Sequence, residues 1–254
     1  MKVFLTGATS GIGAALASVY AARGATLGLY ARREAELART AAALAPATVA
    51  TYVGDVRDAD TLARAAADFI ARFGAPDVVV ASAGVSRGTL TSHPEDLSAF
   101  RAVFDTNVFG MVATFTPFVG PMQTAGRGKL VGIASIAGIR GLPGAGAYTA
   151  SKSAAITYLE SLRIEMRASG VEVVTICPGF IATPLTAGNP YRMPFLMRAD
   201  VAAEKMARAI DQGRRYYVVP WQMGWVGRAL RLVPRGLYDR VVANRPRKPR
   251  RPGE

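Results

Sequence analysis

The 254-residue chain has a single cysteine, Cys177, and a single histidine, His93. One thiol cannot close an internal disulfide, which suits a reducing compartment and makes a cytoplasmic address the expectation. With no Cys/His/Asp cluster around His93, no zinc site is predicted, and His93, just before Pro94, reads as a loop residue. Cys177 closes an apolar run and reads as packing rather than as a nucleophile. The start, Met1-Lys2-Val3-Phe4-Leu5 and then Thr6-Gly7, lacks the charged and then apolar stretch of a secretory signal. Elsewhere Gly, Pro or Arg breaks each apolar run before the roughly 20 residues that a spanning helix requires, so no membrane span is expected.

Acids are also scarce: 18 Asp and Glu stand against 31 Lys and Arg, for a net charge of +13. The imbalance is local. Residues 214–254 hold 11 of the bases and only 2 of the acids, so the rest of the chain carries ordinary charge. No base-reading motif accompanies the cations, and nucleic acid is not an expected partner.

What the chain has is a 50% hydrophobic composition and enough length for one large core. Short apolar runs near 3–6, 26–30, 48–53, 77–81, 129–134, 172–177 and 216–219 alternate with longer Ala-rich amphipathic stretches. This βαβα rhythm predicts an α/β fold, a single doubly wound, Rossmann-like parallel sheet with helices on both faces. A helix should begin near Gly11, and Arg33–Ala45, rich in good helix formers, should form another that Pro46 ends. The segment Gly74-Ala75-Pro76 and Gly170 read as helix stops. Residues 1–220 are assigned to this Rossmann-like unit. An amphipathic helical appendage spans 221–243, which Pro234 divides into two helices, and the Arg/Pro composition of 244–254 predicts a disordered basic tail.

Directly after the first strand comes Thr6-Gly7-Ala8-Thr9-Ser10-Gly11-Ile12-Gly13. Glycines let backbone approach a pyrophosphate closely, and the following helix N-terminus offers unpaired N–H groups. Three residues separate the first two glycines, unlike the Gly-x-Gly-x-x-Gly fingerprint. With Tyr148-Thr149-Ala150-Ser151-Lys152 downstream, the loop resembles that of the short-chain dehydrogenase/reductase family (Thr-Gly-x-x-x-Gly-x-Gly and Tyr-x-x-x-Lys), and the similarity runs from Met1 to about Thr183. Where NAD-binding relatives place an acid at the end of the second strand, this chain has Ala31, followed by Arg32 and Arg33. Two guanidiniums there favour a 2′-phosphate and hence NADP(H); the alternative is that they merely open a solvated helix. The resemblance implies adenine contact at Asp55 and Val56, although Asp55 also suits a helix N-cap. The family's Asn-Asn-Ala-Gly is Ala81-Ser82-Ala83-Gly84 here, so Ala83 and Gly84 still permit close approach to the cofactor while two amides are lost. Pro178, Gly179, Ile181 and Thr183 match the loop that contacts the nicotinamide carboxamide, or form a plain Pro-Gly turn.

On a helix, Tyr148 and Lys152 lie one turn apart on one face. A free phenol titrates near 10, and a neighbouring ammonium lowers it, so Tyr148 is expected to act as general acid or base near neutrality. The resemblance implies that Lys152 also holds the nicotinamide ribose and that Asn107 anchors a proton-relay water. Ser135, just past the fifth strand, sits where an open α/β sheet binds ligands and can hydrogen-bond a carbonyl oxygen. The expected function is hydride transfer between NADP(H) and a carbonyl or alcohol. Apolar residues in 185–198 point to a hydrophobic substrate. The resemblance further implies a homodimer or homotetramer, with the helices bearing Asn107 and Tyr148 as subunit contacts. Two alternatives stay open: a peripheral membrane reductase of lipid-like carbonyls, touching the bilayer through 221–243, and a non-catalytic NADP(H)-sensing module. The bland alternative for 221–243 is packing on the body with solvated arginines.

Overall fold

The computed structural model describes residues 1–250. Strands β1 (Lys2–Thr6), β2 (Thr26–Ala31), β3 (Val49–Val53), β4 (Val78–Ala81), β5 (Gly128–Ile133) and β6 (Val171–Pro178) alternate with helices. The helices are α1 (Gly11–Ala22), α2 (Glu34–Ala42), α3 (Ala59–Phe73), α4 (Asp96–Phe104), α5 (Gly110–Thr124) and α6 (Gly146–Glu165). Then follow β7 (Ile181–Ala182), α7 (Pro184–Ala187), β8 (Met197–Arg198), α8 (Ala199–Asp211), β9 (Tyr216–Val219), α9 (Trp221–Leu232) and α10 (Arg235–Val242). Seven strands form one sheet in the order β3-β2-β1-β4-β5-β6-β9, and every pairing in it is parallel. The expected doubly wound architecture is what the chain adopts. Chain order reverses between β1 and β4, and the crevice where such folds bind ligands opens beyond the carboxyl ends of these strands.

Because successive strand side chains point to opposite faces, β1 feeds two cores. Val3 and Leu5 pack with Leu16 and Tyr20 of α1 and Met206 and Ile210 of α8. Phe4 packs on the other face with Phe69 of α3, Phe115 and Phe118 of α5 and Leu159 of α6. Phe4, Phe69 and Phe118 are fully buried, and each such side chain contributes about 1.5–3 kcal/mol by leaving water. The aromatic contacts among them, with centroids 4.7 and 5.5 Å from Phe4, fix α3 and α5 against the sheet.

Two stretches differ from the sequence expectation. The pair β7 and β8 forms a small parallel ribbon that no alternating pattern announces, since each strand has two residues. Between α4 and α5 the helix continues through a π turn, Asp105–Phe109, giving one helical run over Asp96–Thr124. Among the described residues this is the one run long and apolar enough to cross a membrane by length and composition, and in the fold Phe115, Phe118 and Met122 seat it on the sheet.

Helices α9 and α10 break at Pro234, as the sequence predicts, and pack on the body through Met223, Gly227, Tyr238 and Val242. Arg140, in the loop after β5, donates to the carbonyls of Leu230 and Val233 and stacks on Tyr238, 4.1 Å from its ring centroid. The composition of 244–254 predicts a detached end. Up to Arg250 the structure instead lays this segment on the body, and the remainder lies outside the described residues.

Candidate active site

The carboxyl ends of β1, β2, β4, β5 and β6 surround a cleft of about 310 Å³. Its first wall is the glycine turn. Gly7 has a φ of 71°, and a Cβ there would lie 2.7 Å from the Ala83 backbone nitrogen; a Cβ on Gly13 would lie 2.2 Å from the Gly7 carbonyl oxygen. Both positions therefore require glycine, the first for conformation as well as space. Ser10 precedes α1 without a side-chain cap, and no acid occupies the first turn. The helix thus presents N–H groups and a positive dipole end with no side chain of its own to answer them, the chemistry a pyrophosphate would complete. Thr9, Gly11 and Ile12 line the same wall.

At the end of β2, Ala31, Arg32 and Arg33 border the cleft, and both guanidiniums are more than half exposed. Arg33 donates to Thr9 Oγ1 at 3.2 Å and pairs with Glu36; Arg32 lies 3.6 Å from Asp55. The residue that caps α3 is Asp58, which accepts from the Thr61 N–H at 3.0 Å, so the N-cap alternative for Asp55 fails. Asp55 instead takes a two-pronged bond from Arg57, at 2.7 and 3.0 Å, which holds its carboxyl below the usual range against the opposing effect of burial. Val56, Ala83 and Gly84 complete this side, and Pro178, Gly179, Ile181 and Thr183 close the opposite one. Thr183 sits against Gly11, its methyl 3.2 Å from the position of a Cβ there, so the loop after β6 touches the glycine turn directly.

Ser135, Tyr148 and Lys152 line the same cleft. Ser135 leaves β5 in extended conformation, accepts from the Ala137 N–H at 3.1 Å and hydrogen-bonds the Tyr148 phenol. Lys152 is buried and donates to the Ile133 carbonyl at 2.8 Å; burial pulls its pKa down to about 8. The expected lowering of Tyr148 by this ammonium is not what the structure carries. Burial raises the phenol, the Ser135 hydrogen bond opposes that, and Tyr191 and Cys177 raise it further. The phenol is thereby kept protonated, the form that donates. Lys152 lies 5.9 Å from the Tyr148 ring centroid, with its hydrogen bond directed to backbone.

Asn107 does not line the cleft. It lies in the π turn, fully buried, accepts from the Val85 N–H at 2.8 Å and donates to the Val85 carbonyl at 2.9 Å and to Ser151 Oγ at 3.0 Å. A Cβ on Gly84 would meet its Oδ1 at 3.3 Å and Lys152 Nζ at 3.6 Å, so amide and ammonium face one gap. Two contributors carried no signal beforehand. Ser151, between the two named residues of the Tyr-x-x-x-Lys motif, orients the Asn107 amide, and Tyr191 comes from the 185–198 segment, whose sequence points only to apolar character. Cys177 is buried, its thiol pushed up to about 11, as suits packing. His93 sits in a loop, 3.2 Å from Glu95.

Residues 1–192 match the family model described as short chain dehydrogenase. An "Uncharacterized oxidoreductase" of Myxococcus xanthus (strain DK1622) is 40% identical over 237 residues, 92% of this chain and 93% of that protein. The 11-beta-hydroxysteroid dehydrogenase 1A of Arabidopsis thaliana is 38% identical over 74% of this chain and 54% of its own length. Among solved structures, a short chain dehydrogenase/reductase from Burkholderia phymatum in complex with NAD superposes with a TM-score of 0.82 at 25% identity, covering 98% of this chain and 96% of that one. An alcohol dehydrogenase from Thermococcus sibiricus, complexed with 5-hydroxy-NADP, gives 0.77 at 25% identity, over 86% and 95%. A glycine turn without a cap, a serine, a tyrosine and a lysine around one cleft, and a family match over three quarters of the sequence meet in one conclusion: the chain belongs to the short-chain dehydrogenase/reductase family of oxidoreductases.

Proposed function

We propose that the protein reduces a hydrophobic carbonyl compound with NADPH, with Tyr148 as the general acid. The observation that supports this best is the shared cleft: the glycine turn, Arg32 and Arg33 border one end of the same space whose other end holds Ser135, Tyr148 and Lys152. Bound NADP(H) supplies the hydride, donated from its nicotinamide to the carbonyl carbon. The first turn of α1 takes the pyrophosphate, and Arg32 and Arg33 take the 2′-phosphate through charge-assisted hydrogen bonds. Ser135 donates to the carbonyl oxygen, and Tyr148 delivers its phenolic proton to that oxygen as negative charge develops there. Lys152, charged below about pH 8, turns from the Ile133 carbonyl toward the ribose and stabilises the phenolate left behind. Asn107, held by Ser151 and Val85, keeps the gap beside Lys152 open for proton return. Leu185, Phe195 and Leu196 leave apolar surface exposed next to this region, which supports an apolar substrate.

Assaying NADPH oxidation over a panel of aldehydes and ketones tests the activity. Equal or better turnover with NADH would reject the cofactor choice, and wild-type activity in Tyr148→Phe would reject the mechanism. Cofactor binding without turnover of any carbonyl would favour a sensing module.

A second feature bears on the address of residues 221–243. The face of α9 and α10 turned from the body exposes Trp221, Trp225, Leu232, Leu237 and Val241 beside Arg228, Arg235 and Arg240, with Arg228 stacked on Trp225. Apolar and cationic groups on one surface suit the interface of an anionic bilayer. We take 1–220 as the catalytic unit and this face as a peripheral membrane contact; equal sedimentation of wild type and Trp221→Ala/Trp225→Ala with anionic liposomes would remove it. Exposed Leu97, Phe109 and Ile164 on the helices flanking Asn107 and Tyr148 support a homodimer or homotetramer, to be read by light scattering.

A further inference from the structure

The segment beyond α10 touches the carboxyl-end loops of β4 and β5 and lies within electrostatic reach of the loop after β6. Arg245 lies close enough to Tyr191, in the loop after β6, to act on its phenol, and Tyr191 acts in turn on Tyr148. The Arg247 side chain packs over Gly144, where a Cβ would lie 2.8 Å from its own. Gly144 precedes the helix that carries Tyr148. The carbonyls of Lys248 and Pro249 approach Gly88, at 2.4 and 2.6 Å from a Cβ position there, and Lys248 Nζ donates to Ser86 Oγ at 2.8 Å. Both belong to the loop that leaves the cofactor wall at Gly84.

The segment ends in a clamp. Arg250 Nε and Nη2 donate to the two oxygens of Asp96 at 2.7 and 3.0 Å, and Nη2 also reaches Glu95 at 2.7 Å. With the guanidinium over it Asp96 is 5% exposed, and it also accepts from the Leu90 N–H at 2.8 Å, so in the docked state the carboxylate is shielded from solvent and fully partnered. This differs from an ordinary exposed pair: the fork is bidentate and one partner is out of solvent. Pro246 and Pro249 shorten the list of conformations that docking must select from.

We propose that residues 245–250 form a latched wall on the substrate side of the cleft, with Arg250 as the positioning residue that holds the wall across the loops after β4, β5 and β6. The wall rests on the reductase reading of the same cleft. Its effect is expected on substrate rather than cofactor, because its contacts are with Ser86, Gly88, Glu95, Asp96 and Gly144 and none of these belongs to the glycine turn or to the Arg32–Arg33 pair.

The test compares full-length wild type with Arg250→Gln and Arg250→Lys. For Arg250→Gln the KM for a carbonyl substrate is expected to rise about tenfold, with kcat within about twofold and NADPH affinity unchanged. Trypsin cleavage after Arg247, slow while the segment is latched, is expected to speed about tenfold in the same variant, and Arg250→Lys to fall between the two. An unchanged KM with faster cleavage would overturn the wall, leaving a mere tether. Unchanged cleavage would overturn the latch. A fall in kcat that tracks melting temperature, with lysine no better than glutamine, would also overturn it, since the pair would then serve stability alone. Should wild type turn over no carbonyl, the reductase reading fails by itself, while the trypsin comparison still decides the latch.

Discussion

The two ends of the cleft are built by opposite means. At the cofactor end, eight consecutive residues from Thr6 to Gly13 make the turn, and the helix they open supplies the field. At the other end Ser135, after β5, and Tyr148 and Lys152 of α6 line the cleft, the loop around Tyr191 acts on the phenol, and in our proposal a C-terminal segment about a hundred residues beyond Tyr148 adds a wall. A site made from adjacent residues tolerates little change but needs little help from the rest of the fold. A site assembled from distant segments can be retuned piece by piece, and each piece is only as fixed as the contact that docks it.

The sharpest way to break this contrast is at the local end. Gly13→Ala would thrust a methyl to 2.2 Å from the Gly7 carbonyl oxygen, a backbone atom that cannot swing aside. Nucleotide affinity measured by fluorescence titration is expected to fall by about a hundredfold or more, since the N–H groups that meet the phosphates move with that turn. Next in size, Arg32→Ala/Arg33→Ala should weaken NADPH binding by about 10–100-fold and leave NADH within about twofold, as expected for losing charge-assisted bonds to one phosphate. Equal losses for both cofactors would show the arginines to be structural.

Smaller effects belong to the assembled end, and they are read through pH. Burial lowers Lys152 to about 8, so its charge is present below that value and lost above it. The kcat/KM for carbonyl reduction is therefore expected to decline as pH rises through about 8, up to about tenfold per unit. The smallest effect is at the latch. Arg250 lowers Asp96 and Glu95, and His93 also faces Glu95. Depressed carboxylates stabilise the docked segment above the ordinary carboxylate range near about 4, and that stabilisation is lost as pH falls through their folded values. The difference in trypsin protection between wild type and Arg250→Gln should thus vanish in acid; a difference that persists there would separate the latch from these carboxylates.

Much of this was legible beforehand. Every expected large strand appears, Gly11 opens α1, Gly74 and Gly170 stop at their helices, and Pro234 divides α9 from α10, because hydrophobic period and backbone restriction act over a few residues. The ribbon of β7 and β8 escaped because two-residue strands have no period to read. Asp55 and Asp58 are three residues apart and chemically alike, and only the loop geometry decided which one caps α3. The composition of 244–254 signals disorder, and nothing in it reveals that Arg250 finds the carboxylates of Asp96 and Glu95 across the fold.

The amino-acid order alone determined the sheet, the phosphate turn and the family, since each depends on residues close together in the chain. The folded structure decided the protonation of Tyr148, the direction of the Lys152 ammonium and the path of the C-terminal segment. Those depend on desolvation and on partners that meet only across the fold, where a group's neighbours, and not its sequence position, set its energy.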